Sequence, residues 1–206
     1  MKTLMMLAVF IVCATDARAQ VAHGLVDPNI AADRDMLALP NMTPAIVKEL
    51  MAARPFMSVT ELNTFLIGRK LTAPQTAEFY GKAFVHVNLN TGTREEILLI
   101  PGAGTRMARE FAEYRPWKTW AQFDKEIGKY VGADATAKLA QYAFIPVNLN
   151  TATDADILSI PGAGQRMLRE LKEYRPWKTK AQFDKEIGKY VGEKETTRLW
   201  RFVVIQ

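Results

Sequence analysis

Apolar residues recur at helical spacing in short segments of the chain, and a proline or a glycine interrupts each segment. One segment begins at Thr105, and its apolar residues fall on one side of a helix, at Met107, Ala108, Phe111, Ala112 and Tyr114. It ends near Arg115, because Pro116 disfavours helical geometry in the residue before it. The pattern therefore predicts short helices separated by tight turns.

Capping residues predict where further helices begin. In a capping box a hydroxyl side chain and the residue three positions later bond each other's backbone amides. The chain has this spacing at Thr93 with Glu96, Thr119 with Gln122, Thr179 with Gln182, and Ser58 with Glu61. We expect a short helix after Thr93 that stops before Pro101, and a third helix after Thr119 that Gly128 and Gly132 break. A fourth helix follows, and it carries Leu139, Tyr142 and Ala143.

The same elements recur along the chain. Residues 113–132, EYRPWKTWAQFDKEIGKYVG, return sixty positions later as residues 173–192 with one difference, Trp120 against Lys180. The same offset relates VNLNT at 87–91 to 147–151, and IPGAG at 100–104 to 160–164. The chain is therefore built from copies of one unit.

A third, diverged copy precedes these two. Its landmarks are Asn29, Leu39-Pro40, Arg54-Pro55-Phe56 and Phe84, with one extra residue within 57–83. The copies are residues 26–85, 87–145 and 147–206, named here unit one, unit two and unit three. Each unit is predicted to form two helical hairpins, so the expected fold class is all-α.

The first nineteen residues are predicted to be a signal peptide. Lys2 precedes an apolar run at 4–14, and Ala17-Arg18-Ala19 fits the small-x-small cleavage rule with Gln20 as the new N-terminus. An uncleaved membrane anchor is the alternative, but the run is shorter than the roughly 20 residues that a spanning helix needs. We expect a periplasmic or secreted protein, cleaved near Ala19.

The residues that commonly bind metals are sparse. Cys13 lies in the predicted signal peptide, so the mature chain has no cysteine for a disulfide or a thiolate site. His23 and His86 each stand alone, whereas a metal site needs several ligands together. Both are interpreted as surface or boundary histidines, and no metal or other cofactor is expected.

The net charge offers only a mild attraction to polyanions. It is +5 for the chain, and +4 without residues 1–19. By unit it rises from 0 to +1 to +3, and the exchange of Trp120 for Lys180 adds one of the charges in unit three. Any nucleic-acid surface is therefore expected toward the C-terminus.

The most specific motif is Pro-Gly-Ala-Gly, which occurs at 101–104 and 161–164 between a short helix and a longer one. Glycine permits a reversal that tight, and the missing Cβ atoms let another backbone approach closely. The loop and the first turn of the next helix present amide N–H groups without intrahelical partners. Such amides suit a phosphate group.

At these residues the chain resembles the helix-hairpin-helix family. The stretch VNLNTGTREEILLIPGAGTRMAREFAEYR is similar to ComEA-type competence proteins, which are exported DNA receptors with paired helix-hairpin-helix motifs. The resemblance implies that the glycine turns bind phosphates of double-stranded DNA without regard to sequence, with help from nearby basic side chains. The candidate DNA-binding residues are Gly102, Gly104, Thr105, Arg106, Arg109 and Lys118 in unit two, and Gly162, Gly164, Gln165, Arg166, Arg169 and Lys178 in unit three.

Unit one and the second hairpins depart from the family pattern. The turn of unit one, Pro40-Asn41-Met42-Thr43, has neither glycine, so unit one is expected to be structural or to contact another protein. The second hairpins keep only Gly132 and Gly192, and Tyr130 and Tyr190 are expected to crowd a phosphate there.

Aromatic and acidic residues leave two further interpretations open. Tyr114, Trp117, Phe123 and Tyr130, repeated sixty positions later, are candidates for a base-stacking platform, but core packing is favoured because small helical units need large apolar side chains. Asp124 and Glu126 invite a nuclease metal site. Side chains two apart on a helix diverge, which favours solvated charges.

The sequence predicts a protein that binds double-stranded DNA through phosphate contacts, and the resemblance to ComEA-type proteins implies that it holds this DNA during DNA uptake. The alternative is a protein-interaction or envelope-assembly module, since helix-hairpin-helix units also resemble the lumenal extrinsic subunit of cyanobacterial photosystem II, which uses the fold without DNA. No enzyme and no small-molecule substrate is expected. The spacing of residues suggests no catalytic nucleophile with a partner general base, and the chain has no P-loop or dinucleotide-binding fingerprint. Strand preference, oligomeric state, the orientation of the units and the physiological partner stay open.

Overall fold

The computed structural model describes residues 24–206, and within them the chain is mostly helical with only very short strands. The predicted all-α class is confirmed. The predicted signal peptide and His23 lie outside the described residues. Among residues 24–206, no helix has the length and apolar composition needed to cross a bilayer.

The helices fall into three sets of four. In residues 26–85 they are α1 Asp33–Leu37, α2 Pro44–Ala53, α3 Val59–Gly68 and α4 Ala73–Tyr80. In residues 87–145 they are α5 Arg94–Leu98, α6 Thr105–Glu113, α7 Trp120–Val131 and α8 Ala133–Ala140. In residues 147–206 they are α9 Asp154–Ser159, α10 Gln165–Glu173, α11 Lys180–Val191 and α12 Glu193–Trp200.

Short parallel strands, which the sequence did not predict, join the two ends of each set. Strand β1 (Val87–Asn88) pairs with β2 (Ala143–Phe144), and β3 (Val147–Asn148) pairs with β4 (Val203–Val204). In unit one a single parallel bridge joins Val26 to Ala83. The four helices of each unit therefore form a loop that starts and ends at neighbouring points.

Helix starts follow the predicted caps, with one difference in detail. Thr93 and Glu96 form the full capping box. Thr119 also accepts a bond from the Gln122 amide, at 3.1 Å, but the Gln122 side chain accepts from the Lys118 amide, at 2.9 Å. The predicted box at Thr119 is therefore wrong in its second bond, which reaches one residue further back. The boxes predicted at Thr179 and Ser58 are wrong in the same way, because Gln182 accepts from the Lys178 amide at 2.9 Å and Glu61 accepts from the Met57 amide at 2.6 Å.

Glycine ends the third helix at one position only. Gly132 has φ 78° and ψ 167°, a conformation that side chains other than glycine rarely adopt, and it separates α7 from α8. Gly128 lies inside α7 and does not interrupt it, which corrects the prediction that both glycines break the helix. Helix α8 packs close to this glycine, and a Cβ at Gly128 would make an ordinary contact with it, 3.8 Å from Oγ1 of Thr136.

The tryptophan and phenylalanine side chains of the repeat form the core, as predicted, whereas Tyr114 and Tyr130 are only partly buried against it. Trp117 and Trp177 are at most 2% exposed, and Phe123 and Phe183 are also buried. The indole Nε1 of Trp117 donates to the Phe111 carbonyl oxygen at 2.8 Å, so its one polar group is satisfied. These rings are therefore unavailable for stacking on bases.

The repeated Arg-Pro-Trp segment is held by the start of its own unit. Asn90 bonds both backbone groups of Trp117, since its Oδ1 accepts from the amide at 2.6–2.7 Å in the two copies and its Nδ2 donates to the carbonyl. Arg115 donates to the carbonyl oxygens of Leu89 and Gly92, at 2.7 and 2.5 Å. The best-preserved block of the repeat is thus a scaffold.

The units pack against one another at their ends. His86, between units one and two, is only 3% exposed, so it is a boundary residue as expected but not a surface one. Nη2 of Arg201, from unit three, donates to the His86 carbonyl oxygen at 3.0 Å. The rings of Phe84 and Tyr142 meet edge to face at 5.0 Å, which joins the ends of units one and two.

Candidate nucleic-acid interface

The Pro-Gly-Ala-Gly turn of unit two joins α5 to α6. Gly102 has φ 84°, a conformation that favours glycine, whereas Gly104 has an extended backbone and caps α6. Ala103 is buried between them, and its amide donates to the Ile100 carbonyl oxygen at 2.9 Å. The turn is anchored by its alanine and presents both glycines to solvent.

The amides of this turn are available to an anion. Among residues 24–206, no acceptor bonds the N–H groups of Gly102, Gly104, Thr105 or Arg106. Helix α6 adds the positive end of its dipole at the same place. All four residues are exposed, so the candidates predicted around this turn lie together on one surface.

Arg106 is held by an aromatic ring of the second hairpin. Its guanidinium lies 4.4 Å from the ring centroid of Tyr130, and the hydroxyl groups of Tyr130 and Tyr114 are 2.9 Å apart. In unit three, Arg166 lies over Tyr190 at 4.8 Å. The tyrosine that was expected to crowd a phosphate therefore supports the arginine predicted to contact one.

Arg109 is paired with an acidic residue. Its Nη2 lies 2.8 Å from Oε1 of Glu110, whose side chain is 4% exposed. The hydrogen bond from Arg109 holds the pKa of the Glu110 carboxyl below its ordinary value, and a hydrogen bond from Tyr130 acts in the same direction. Arg109 is exposed and within reach of solvent anions, but part of its charge is already neutralised.

The turn of unit three has the same backbone and different surroundings. Gly162 has φ 83°, but a Cβ there would lie 2.8 Å from Nη2 of Arg198 and 3.5 Å from Ile30 of unit one. Arg198 donates to the Pro161 carbonyl oxygen at 2.5 Å and to both carboxylate oxygens of Glu195. A Cβ at Gly102, by contrast, would have no described atom within 4 Å.

The turn of unit one keeps its shape without glycine. Asn41 takes the positive φ, at 63°, and Thr43 caps α2 by accepting from the Ile46 amide. Nδ2 of Asn41 donates to Glu78 at 2.9 Å and to the Gln75 carbonyl oxygen at 3.3 Å. The side chain thus fills the space that is empty in unit two.

The two predicted lysines lie away from the turns. Lys118 lines a cleft of about 540 Å³ at the boundary of units two and three, together with Asn148 and Val203 and with none of the turn residues. Lys178 is exposed, and its amide is bonded to Gln182 like that of its counterpart. The structure does not bring either lysine together with the glycines.

The acidic residues pair with lysines. Glu126 bonds Lys129, and Glu186 bonds Lys189 in the same way. Among residues 24–206, no group of three potential metal ligands occurs. Asp184 pairs with Lys180 at 2.7 Å, so the charge gained by the exchange of Trp120 for Lys180 is largely neutralised.

Sequence reasoning missed Arg198 and Glu195, which decide how open the third turn is. A signal for them was present, because sixty positions earlier unit two has Lys138 and Ala135. This difference between the units was interpreted only as a difference in net charge, and no contact with the turn was inferred from it. Arg198 is 1% exposed, so its charge does not contribute to a surface.

No family model matches the chain, and comparisons with curated proteins and with solved structures also give no match.

Proposed function

We propose that this chain is a helix-hairpin-helix protein that binds double-stranded DNA without sequence preference, through phosphate contacts at its glycine turns. Its place would be outside the cytoplasm, in DNA uptake, as the predicted signal peptide and the resemblance to ComEA-type proteins imply. The DNA-binding role rests on the sites, because a fold of this kind serves more than one function.

One observation carries the proposal. The unit-two turn combines exposed glycines, unbonded amides and the start of a helix with the stacked side chain of Arg106. Each of these features favours an anion, and the absence of Cβ atoms lets a large polyanion approach the backbone. A phosphate of a duplex is the anion that this open geometry fits best.

The affinity should be modest and sensitive to salt. Binding to duplex DNA weakens as salt rises, because each neutralised phosphate releases condensed counterions. The turn offers Arg106 and the partly neutralised Arg109, and other contacts come from uncharged amides. The small net charge of +1 on unit two adds little long-range attraction.

A mobility-shift assay with unrelated duplexes at about 50 mM and about 200 mM salt tests the function. Neutralisation of one to two phosphates by Arg106 and Arg109 predicts a loss of affinity of roughly threefold to tenfold over that range. Arg106→Ala should reduce the salt slope by about one and weaken all duplexes equally. Lys82→Ala, which removes the same charge from an exposed position in unit one, is the matched control. Absence of binding at the lower salt would end the proposal.

A protein partner is the second candidate function, and one surface favours it. A groove of about 840 Å³ separates α3 and α4 from the unit-two turn. Ile67 and Leu98 line it and are 57% and 39% exposed. A duplex titration discriminates the two functions. A partner that binds this groove would lose affinity on Ile67→Ser, which should leave the duplex salt slope unchanged.

A further inference from the structure

Two equivalent positions on the fourth helix differ in residue type among the three units. In units one and three these positions contact the turn of their own unit. They are occupied by Gln75 and Glu78 in unit one, Ala135 and Lys138 in unit two, and Glu195 and Arg198 in unit three. These positions therefore control access to the turn.

In units one and three, residues of the fourth helix of the same unit contact the turn. Asn41 bonds Glu78 and the Gln75 carbonyl in unit one. In unit three, Arg198 bonds the Pro161 carbonyl and lies against Gly162. In unit two, among the described residues, no atom comes within 4 Å of the place a Gly102 Cβ would take.

An ion pair and packing keep Arg198 against the unit-three turn. Glu195 receives two hydrogen bonds from Arg198, at 2.7 and 2.6 Å, so the guanidinium is neutralised as well as buried. Ile30 of unit one also lies near this turn, within a cleft of about 420 Å³. Gly162, Gly164, Gln165 and Arg166 are exposed like their unit-two counterparts, so the difference lies at Gly162, where a phosphate approaching the Cα would meet Arg198 and Ile30.

We infer that unit two alone makes the glycine-turn contact with a duplex, and that Arg198 and Glu195 exclude unit three from it. The inference rests on the proposed DNA binding and makes it more specific, because one duplex contact per chain replaces the two that the repeat suggests. The third turn instead becomes a joint between unit three and unit one. Arg198 and Glu195 are positioning residues, since neither touches the duplex.

The wild-type protein tests this without any substitution. A 15-base-pair duplex is titrated at about 50 mM salt while the backbone amide resonances of Gly102, Gly104, Gly162 and Gly164 are followed by NMR. The first pair should shift with the duplex, and the second pair should not. Equal shifts of both pairs would overturn the inference while supporting the proposed function. Absence of any duplex binding would end both, because the inference depends on that function.

Exchanging the two positions between units is the second test. Glu195→Ala with Arg198→Lys gives unit three the residues of unit two, and should open a second site. The salt slope should steepen by about one for each phosphate gained, with affinity rising several-fold at about 50 mM salt. Glu193→Ala removes the same negative charge from an exposed position on α12 and is the matched control. A gain no larger than that of the control would contradict the inference.

The reverse exchange should close the open turn. Ala135→Glu with Lys138→Arg gives unit two the residues of unit three, and duplex affinity at about 50 mM salt should fall about tenfold. Ala137→Glu with Lys138→Arg makes the same change in composition, with the carboxylate two positions further along α8 at an exposed residue. The control should lose at most a few-fold through its added negative charge, and an equal loss in both variants would count against the inference.

Discussion

At the residue scale, side-chain bonds to the backbone explain why two landmarks of the repeat occur together. Asn90 and Asn150 each bond both the amide and the carbonyl of the tryptophan 27 residues later. In unit one, Asn29 makes the same pair of bonds to Phe56. An asparagine side chain has one donor and one acceptor end, so it can replace a missing backbone partner on both sides.

Replacing Asn90 by alanine should destabilise the protein while leaving duplex binding unchanged. The change strands the amide and carbonyl of Trp117 beside the core, and each lost partner costs about 1–3 kcal/mol of unfolding free energy. Urea unfolding followed by far-UV circular dichroism measures the loss. Thr91→Ala, at an exposed neighbouring position, should cost less than about 0.5 kcal/mol. Equal stability of the two variants would show that the Asn90 bonds contribute nothing net.

At the element scale, caps and glycines determine where helices begin and end. The predicted starts at Thr93 and Thr119 are correct, because a hydroxyl cap acts on an amide only three residues away. The role of Gly128 could not be inferred in this way. Composition shows a glycine in a helical segment, but only the tertiary structure shows that α7 continues through Gly128 and that α8 packs closely against it.

The two glycines of α7 should respond to alanine in opposite directions. Gly132→Ala forces a side chain into a backbone conformation used almost only by glycine, at a cost of about 1–3 kcal/mol. Gly128→Ala improves helix propensity by up to about 1 kcal/mol, and its Cβ makes an ordinary contact with Thr136. Thermal unfolding of both variants checks this. A stability loss at Gly128 would show that α8 has no room for the methyl group.

At the scale of the whole molecule, buried polar contacts set how the units sit together. Arg201 reaches from unit three to the His86 carbonyl between the other two units. Burial lowers the pKa of the Arg201 guanidinium from its ordinary value, and the field of Asp27 opposes that shift. Unit two has Gln141 at the equivalent position, so this joint belongs to unit three alone.

Arg201→Gln should loosen the joint between unit three and the rest. Loss of a hydrogen bond from a charged donor predicts a cost of about 1.5–3 kcal/mol in unfolding free energy. Hydrogen exchange measured by mass spectrometry should quicken in residues 83–89, which include the joint. Arg34→Gln removes a charge from a side chain that is 89% exposed and should change neither quantity. Identical hydrogen exchange in wild type and Arg201→Gln would show that other contacts stabilise the joint.

Much of the candidate site could be predicted from sequence, and the part that could not is the part that distinguishes the turns. Pro-Gly-Ala-Gly marks both turns, and the arginine two residues after the last glycine lies where expected. The contact between Tyr130 and Arg106 was not predicted, because the two side chains come from different hairpins. The bond between Arg198 and the Pro161 carbonyl spans 37 positions, which no local pattern records.

By itself, the sequence determined the three units, the all-α class and the places where helices start and turn. These features depend on caps, glycines and prolines, which act over a few residues. Only the tertiary structure decided which turn is open, that His86 is buried and that the ends of each unit pair as strands. Those outcomes depend on side chains and strands brought together from distant parts of the chain, where packing and desolvation outweigh local preference.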